Sequence, residues 1–336
     1  MYPKIQYSVK SLVLSIPLFC VNLYSGQEKD SLKVKDSAIS KKVAMAVTDR
    51  FPMARLINIE YTNSLPYTIS SNYLGKDMGE SKVNQLSQAK VSSTINLIRK
   101  KKWALSTTLN YNYISVNVDG TNFFNNSILN DHTIDFHYHT TSLTGTYYSK
   151  LFNKTVIYSG TATVDGSEKN FERVRGLVTA TMVLKANAKT KMTVGIIGLI
   201  DPNAIVPSFL TFSYEHKFNN GLIIDAILPK WVYLRKNLKD YGRLSLGTEL
   251  GGTMFYLYNN DRAFTFSQMD INSGVMYEHR LGNSFIASLK SGIRYSPTSR
   301  LLDKQANFKD FTLDSKPDPT FYFNIGISYN PFKNKK

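Results

Sequence analysis

The sequence predicts an all-β fold: a transmembrane antiparallel up-and-down β-barrel of about 14 strands, with 12 as the alternative, behind a cleaved signal peptide. Three observations predict it. From about Met53 onward apolar and polar residues alternate with period two, segment after segment, which is the mark of strands with two unlike faces. The apolar faces begin or end in Tyr, Phe or Trp, as aromatic girdles at two membrane interfaces require. The links alternate between short and long, as they do in barrels with short periplasmic turns and longer external loops.

Residues 1–26 read as the signal peptide. Lys4 and Lys10 supply a positive start, Ser11 to Val21 is a short apolar core, and Ser25-Gly26 offers a small-residue cleavage site. That core is too short to span a bilayer as a helix, which takes about 20 apolar residues. Cys20 follows bulky Phe19, unlike the small-residue pattern before a lipoprotein cysteine. As the single cysteine it also excludes a disulfide framework and any Cys-based zinc site. Residues 27–50 are polar, Lys-rich and without a sustained period, a loose periplasmic lead-in. Residues 51–332 form the barrel, and 333–336 a basic C-terminal tail.

The strands can be read one by one. Trp103, Leu105, Thr107, Leu109, Tyr111 and Tyr113 share a face opposite Ala104, Ser106, Thr108, Asn110 and Asn112. Leu210, Phe212 and Tyr214 oppose Thr211, Ser213 and Glu215. Leu244, Leu246, Leu250, Met254, Tyr256 and Tyr258 oppose Arg243, Ser245, Glu249, Gly251 and Thr253. Phe321, Phe323, Ile325, Ile327 and Tyr329 oppose Tyr322, Asn324, Gly326, Ser328 and Asn330. The first face of each pair is assigned to lipid.

Short turns fall at Arg99-Lys102, Leu151-Lys154, Ala186-Thr190, Phe218-Gly221, Lys239-Gly242 and Leu281-Asn283. Longer or irregular links fall at Asn63-Lys82, Asn117-Asp131, Asp165-Asn170, Ile200-Pro207, Leu228-Lys230, Asn259-Arg262 and Ser296-Pro319. With both termini in the periplasm the strand number must be even. One continuous strand over Gly221-Lys236 gives thirteen; a break at Pro229, which cannot donate to a ladder, restores fourteen.

Phe212-Ser213-Tyr214, Leu228-Pro229-Lys230, Tyr233-Leu234-Arg235 and the run Arg243 to Leu250 give the C-terminal half a recognisable pattern. In these stretches the chain resembles an uncharacterised outer-membrane β-barrel family of the Bacteroidota, a domain of unknown function. The resemblance continues through Phe321-Asn330 and less clearly back to about Ala54. It implies a fold and a location, and it carries no catalytic residue to transfer.

Chemical constellations are few. Asp135, His137 and His139 share one strand face at spacings of two, close enough for one metal or one proton. The simpler reading, a wet lumen-facing stripe opposite lipid-facing Ile134, Phe136 and Tyr138, ranks first, so no metal, cofactor or catalytic residue is assigned. Ser142 lies on the opposite face from His139, which argues against a hydrolase pair. The glycine-rich strings Gly195-Gly198 and Gly247-Gly252 lack a following helix, so no phosphate loop is supported.

The formal net charge is +16, of which the leader holds two lysines. Lumen-facing bases are read as Arg173, Arg175, Lys236, Arg243, Lys290 and Arg294, and lumen-facing acids as Asp135, Glu215, Asp225, Glu249, Asp270 and Glu278. They balance, so the excess lies in turns and tails, where it can meet anionic lipid headgroups; nucleic acid is not a predicted partner. An outer-membrane, porin-like barrel that is not an enzyme follows, with membrane lipids and small solutes as its partners. Passage of small solutes ranks first, a plugged structural or interaction barrel second, and a barrel-embedded hydrolase third.

Overall fold

The computed structural model describes residues 48–122, 127–239, 241–260 and 262–330. The signal-peptide residues, Cys20, most of the lead-in, the tip of the 117–131 link and the 333–336 tail lie outside the described residues.

Sixteen strand segments are present: β1 (Ile57–Ser64), β2 (Tyr67–Tyr73), β3 (Lys76–Arg99), β4 (Trp103–Thr121), β5 (Ile128–Leu151), β6 (Lys154–Gly166), β7 (Phe171–Ala186) and β8 (Thr190–Ile200). The second half holds β9 (Ser208–Lys217), β10 (Leu222–Leu228), β11 (Trp231–Leu238), β12 (Gly242–Asn259), β13 (Arg262–Leu281), β14 (Phe285–Asp303), β15 (Phe311–Pro317) and β16 (Thr320–Tyr329). All pairings are antiparallel, from β3 round to β14 in sequence order. β1 and β16 pair with each other and with β3 and β14, and β15 and β2 close the same seam nearer the external end.

β1 and β2 are therefore one ring position broken at Leu65-Pro66, and β15 and β16 another broken at Asp318-Pro319. The ring has fourteen positions, as the parity of the chain requires. The breaks sit where proline removes a ladder donor, and they are bridged by Leu65 N–H to the Phe321 carbonyl and Asp318 N–H to that of Thr68, both 2.9 Å.

Two links expected as long loops are corrected here. Asn63-Lys82 is mostly β2 and β3 around a tight turn at Leu74-Gly75, both residues at positive φ. Ser296-Pro319 is mostly β14 and β15, leaving 304–310 as loop and the break at Asp318-Pro319. Polar side chains on both faces hid these strands, because they stand above the membrane in water and need no apolar face.

The end that carries the termini has only short turns. On the other side the wall is uneven. β10 and β11 have seven and eight residues, against 18 and 20 in β12 and β13, and a crossing strand needs about 9–11. Their connection, which carries the cis Leu228-Pro229 bond, ends the β11–β12 ladder at Trp231 and Glu249. Beyond it β12 keeps only β13 as a neighbour.

Freed there, β12 packs across the lumen. Phe255 stacks on Phe136 of β5 at 4.0 Å and on Phe266 of β13 at 4.5 Å, and Gln88 Nε2 of β3 donates to Thr253 Oγ1 at 2.8 Å. Val83, Leu86, Ile114 and Phe255 form a buried cluster with Tyr67, Ile69, Phe136 and Phe266 packed against it. The external half of the barrel thus holds an apolar cluster in its interior.

Three sequence assignments are overturned, the first two by this crossing and the third because Lys236 shares the outer face of Val232 and Leu234. Met254, Tyr256 and Tyr258 do not face lipid; Tyr256 is 3% exposed and its hydroxyl donates to Asp165 Oδ1 at 2.5 Å. Ile134, Phe136 and Tyr138 turn inward and the Asp135, His137, His139 stripe outward. Where the lumen is dry and the outside wet, the apolar face belongs inside. Lys236 is exposed on the outer face, and its neighbour Arg235, 5% exposed, faces the lumen instead. Leu250, also assigned to lipid, is half-buried and lines the lumenal cavity. On β16 and the first residues of β12 the phase holds: Leu244, Leu246, Phe321, Phe323, Ile325 and Ile327 are exposed, while Ser245, Tyr322, Asn324 and Ser328 are buried.

Candidate functional site

The lumen between the two ends holds a cavity of about 450 Å³. Tyr322 lines it, at the end of a row of residues in direct register, Tyr233, Gly247, Gly274, Gly292 and Tyr322, on five successive strands. A Cβ on Gly274 would collide with the Ser291 carbonyl, and one on Gly247 would meet the Tyr233 ring. Gly247 thus leaves room for the Tyr233 ring, and Gly274 and Gly292 for the backbone of each other's strand; both tyrosines are 5% exposed.

Tyr233 then donates to Glu249 Oε2 at 2.7 Å, and Lys290 donates to Glu249 Oε1 at 2.9 Å. Glu60 accepts from Asn58 at 2.9 Å and Asn324 at 3.4 Å; Asp270 accepts from Gln268 and Ser296, both at 2.7 Å. Arg294 reaches Asn272 and Ser64, both at 3.2 Å, under the Tyr322 ring.

The periplasmic end is filled by the segment that precedes β1. Pro52–Ala54 is a single 3-10 turn, and Phe51 packs on Trp231 with ring centroids 4.8 Å apart. Arg50 pairs with Asp225, which also pairs with Arg235 and accepts from Trp231 Nε1. Arg55, 1% exposed, reaches Glu278 at 3.2 Å and Ser328 at 2.7 Å. Arg243 joins Glu278 at 2.6 Å to Asp49 at 3.0 Å. Charges taken out of water need such partners on every side; here they tie the segment to five strands.

The external closure has a polar half, on the face of β12 that looks away from the apolar cluster. Asp165 of β6, fully buried, takes Arg175 Nε at 2.7 Å and the Tyr138 hydroxyl at 3.2 Å beside the Tyr256 contact. Arg173 lies 3.1 Å from Asp201 in the 201–207 loop and also reaches Asn203.

Of the expected lumen charges, Arg173, Arg175, Arg243, Lys290, Arg294, Asp225, Glu249, Asp270 and Glu278 belong to these networks, and Glu215 lies 3.8 Å from Arg50. Asp135 does not; it is exposed. His137 Nδ1 is 2.7 Å from the Tyr111 hydroxyl on the outer surface, and no group of three or more metal-binding side chains occurs among the described residues. Ser142 faces inward, 2.8 Å from Thr163, away from His139. Sequence reading missed Asp165, Arg50 and Arg55. The first sat in an assumed loop, Arg50 at the end of the lead-in, and Arg55 at the start of the barrel stretch before any strand period is established. An arginine flanking a proline-marked turn, Arg50 or Arg55 around Phe51-Pro52, was the one available signal.

No protein-family model matches the chain, and the curated proteins contain no match. Among solved structures it is similar to an outer-membrane channel from Pseudomonas putida, at 10% identity and TM-score 0.36, over 81% of this chain and 94% of that one. A FadL homologue from Pseudomonas aeruginosa matches at 8% and 0.33, over 85% and 94%. The outer-membrane protease OmpT from Escherichia coli matches at 7% and 0.26, over 81% and 96%.

The class follows from the chain's own geometry. Fourteen antiparallel positions close on themselves, and the outer wall exposes Leu246, Leu289, Ile293, Ile325, Val178 and Ile196 among many others. Such a belt is solvated by hydrocarbon alone, and only a closed sheet satisfies its backbone there. This is a bacterial outer-membrane β-barrel, in contact with lipid around its waist.

Proposed function

We propose that the chain is a gated transport barrel for small solutes. The observation that carries this reading is the mid-lumen cavity held between two closures of different chemistry. A volume of about 450 Å³ is in the range of small-molecule sites. A purely structural barrel has no use for that space, and a passive pore has no use for the closures.

The gap above the β10–β11 hairpin favours an opening there. It is where β12 can swing back toward the wall without breaking a ladder, at the loss of its side-chain contacts to β3, β5 and Asp165. The likeness to the uncharacterised Bacteroidota barrels agrees with this reading and adds no chemistry to it.

Planar-bilayer recording tests it. The intact protein should show no steady ohmic conductance, whereas Arg50→Ala combined with Arg55→Ala, which unties the periplasmic segment, should give frequent openings. A wide, constant pore in the intact protein would defeat the gated reading. Silence in every variant, together with no solute flux into vesicles, would favour a structural barrel.

A further inference from the structure

We infer that the mid-lumen cavity is a binding site for a small organic oxyanion. The inference rests on the transport reading for its purpose, but its evidence is the balance of donors and acceptors on the cavity wall.

The three carboxylates that face the cavity are already engaged. Glu249 has one oxygen on Lys290 and the other on Tyr233. Glu60 has one on Asn58 and the other on Asn324, and Asp270 accepts twice, both times at Oδ1. A cationic solute would have to displace these protein donors at Glu249 and Glu60, and would find Asp270 Oδ2 alone without one.

The cations are in the opposite state. Lys90 stands directly across from Glu60 in the β1–β3 register, yet the two do not pair, and Lys90 has no ion-pair or hydrogen-bond partner among the described residues. Lys230, at the tip of the β10–β11 hairpin, donates once, to the Leu250 carbonyl at 2.6 Å, which leaves two ammonium protons. Arg294 spends Nε and Nη1 on Asn272 and Ser64, which leaves Nη2. Lys90 lies within electrostatic reach of both other cations as well as of Glu60 and Asp270, and all three cations line the same cavity, where with Arg175 and Lys290 they outnumber the carboxylates Glu60, Glu249 and Asp270.

Like charges gathered in a partly desolvated space repel one another, so this arrangement is stabilised by an anion between them. Unused N–H groups on cations are donors for a carboxylate or a phosphate, through charge-assisted hydrogen bonds. A neutral sugar would satisfy the donors and leave the excess of positive charge unanswered.

The full-length protein can report its own occupancy, because it has two tryptophans, one in each environment. Trp231 lines the cavity and Trp103 sits on the outer wall. In a Trp103→Phe background, Trp231 fluorescence should change saturably with sodium succinate or inorganic phosphate, and not with glucose, putrescine or sodium chloride at equal ionic strength. Whichever oxyanion responds identifies the head group.

Lys90→Gln should weaken that binding about tenfold, the expected loss of one charge-assisted hydrogen bond, while Lys90→Arg retains it. Heat-dependent gel migration confirms that both variants are folded, as expected when the replaced group has no partner to lose. No saturable response to either oxyanion, an equal response to glucose or putrescine, or an unchanged affinity in Lys90→Gln would overturn the inference. Binding and flux separate the two readings: saturable oxyanion binding without flux leaves the site standing and defeats transport. Flux of neutral solutes without oxyanion binding does the reverse.

Discussion

Asp225→Ala should be among the most damaging single substitutions in the barrel, at a cost of about 3–5 kcal/mol for leaving buried charge uncompensated. Asp225 is 1% exposed and holds two guanidiniums, those of Arg50 and Arg235, as well as the Trp231 indole N–H. Without the carboxylate the two arginines face each other in a space with few alternatives. The loss should also free the segment around Phe51, which packs on Trp231. Urea titration of protein refolded in detergent reads the stability, and protease cleavage near Arg50 reads the release. Asp225→Asn keeps the shape and one acceptor, so it should fall between wild type and alanine. A cost below about 1 kcal/mol, the level of an exposed pair, would mean that the periplasmic end is wet.

Leu246→Arg should cost about 2–4 kcal/mol if Leu246 lies near the bilayer midplane, and Leu246→Ala far less. Leu246 is 57% exposed on the outer wall, and its cross-strand neighbours Leu234 and Val275 are exposed with it. A guanidinium there must be solvated by distorting the bilayer. Ser245 is a poor control for this comparison, because it is fully buried and an arginine would overpack it. Equilibrium refolding into lipid bilayers measures both leucine variants. Equal stabilities would place this stretch of β12 outside the hydrocarbon.

Much of the fold was legible because one rule, lipid outside and water inside, governs the lower half of the barrel. There the alternation in Phe321 to Tyr329 or Trp103 to Tyr113 has a single meaning, and parity with a proline break recovers fourteen positions. The upper half follows another rule. Its exterior meets water and its interior is packed, so Ile134, Phe136 and Tyr138 carry the same alternation with the opposite sense. Period two states that two faces differ, not which solvent each one meets.

The site was legible only in its parts. Glu249, Lys290 and Arg294 could be placed in the lumen from strand phase. Their grouping with Glu60 and Lys90 depends on β1 pairing with β3 and β16, a closure between distant segments that no local pattern encodes. Arg50 and Arg55 were hidden for a different reason. A segment that threads a lumen without strand structure has no period to read, and its role depends entirely on the carboxylates it meets.

Closure of the external mouth by β12 is the claim on which both the gated reading and the cavity depend. It is tested most directly by cross-linking Gln88→Cys to Thr253→Cys with a short bifunctional thiol reagent, in a chain whose Cys20 is replaced by serine. The two side chains meet at 2.8 Å across the lumen although they sit on β3 and β12, far apart around the ring. Ser92→Cys with Asn110→Cys, direct register partners on neighbouring strands, supplies the positive control. With β12 across the mouth, the folded protein should cross-link at both pairs in similar yield, and the Gln88–Thr253 product should migrate as a compact species. If the control pair reacts and the Gln88–Thr253 pair does not, the mouth stands open and the cavity is a stretch of an ordinary pore.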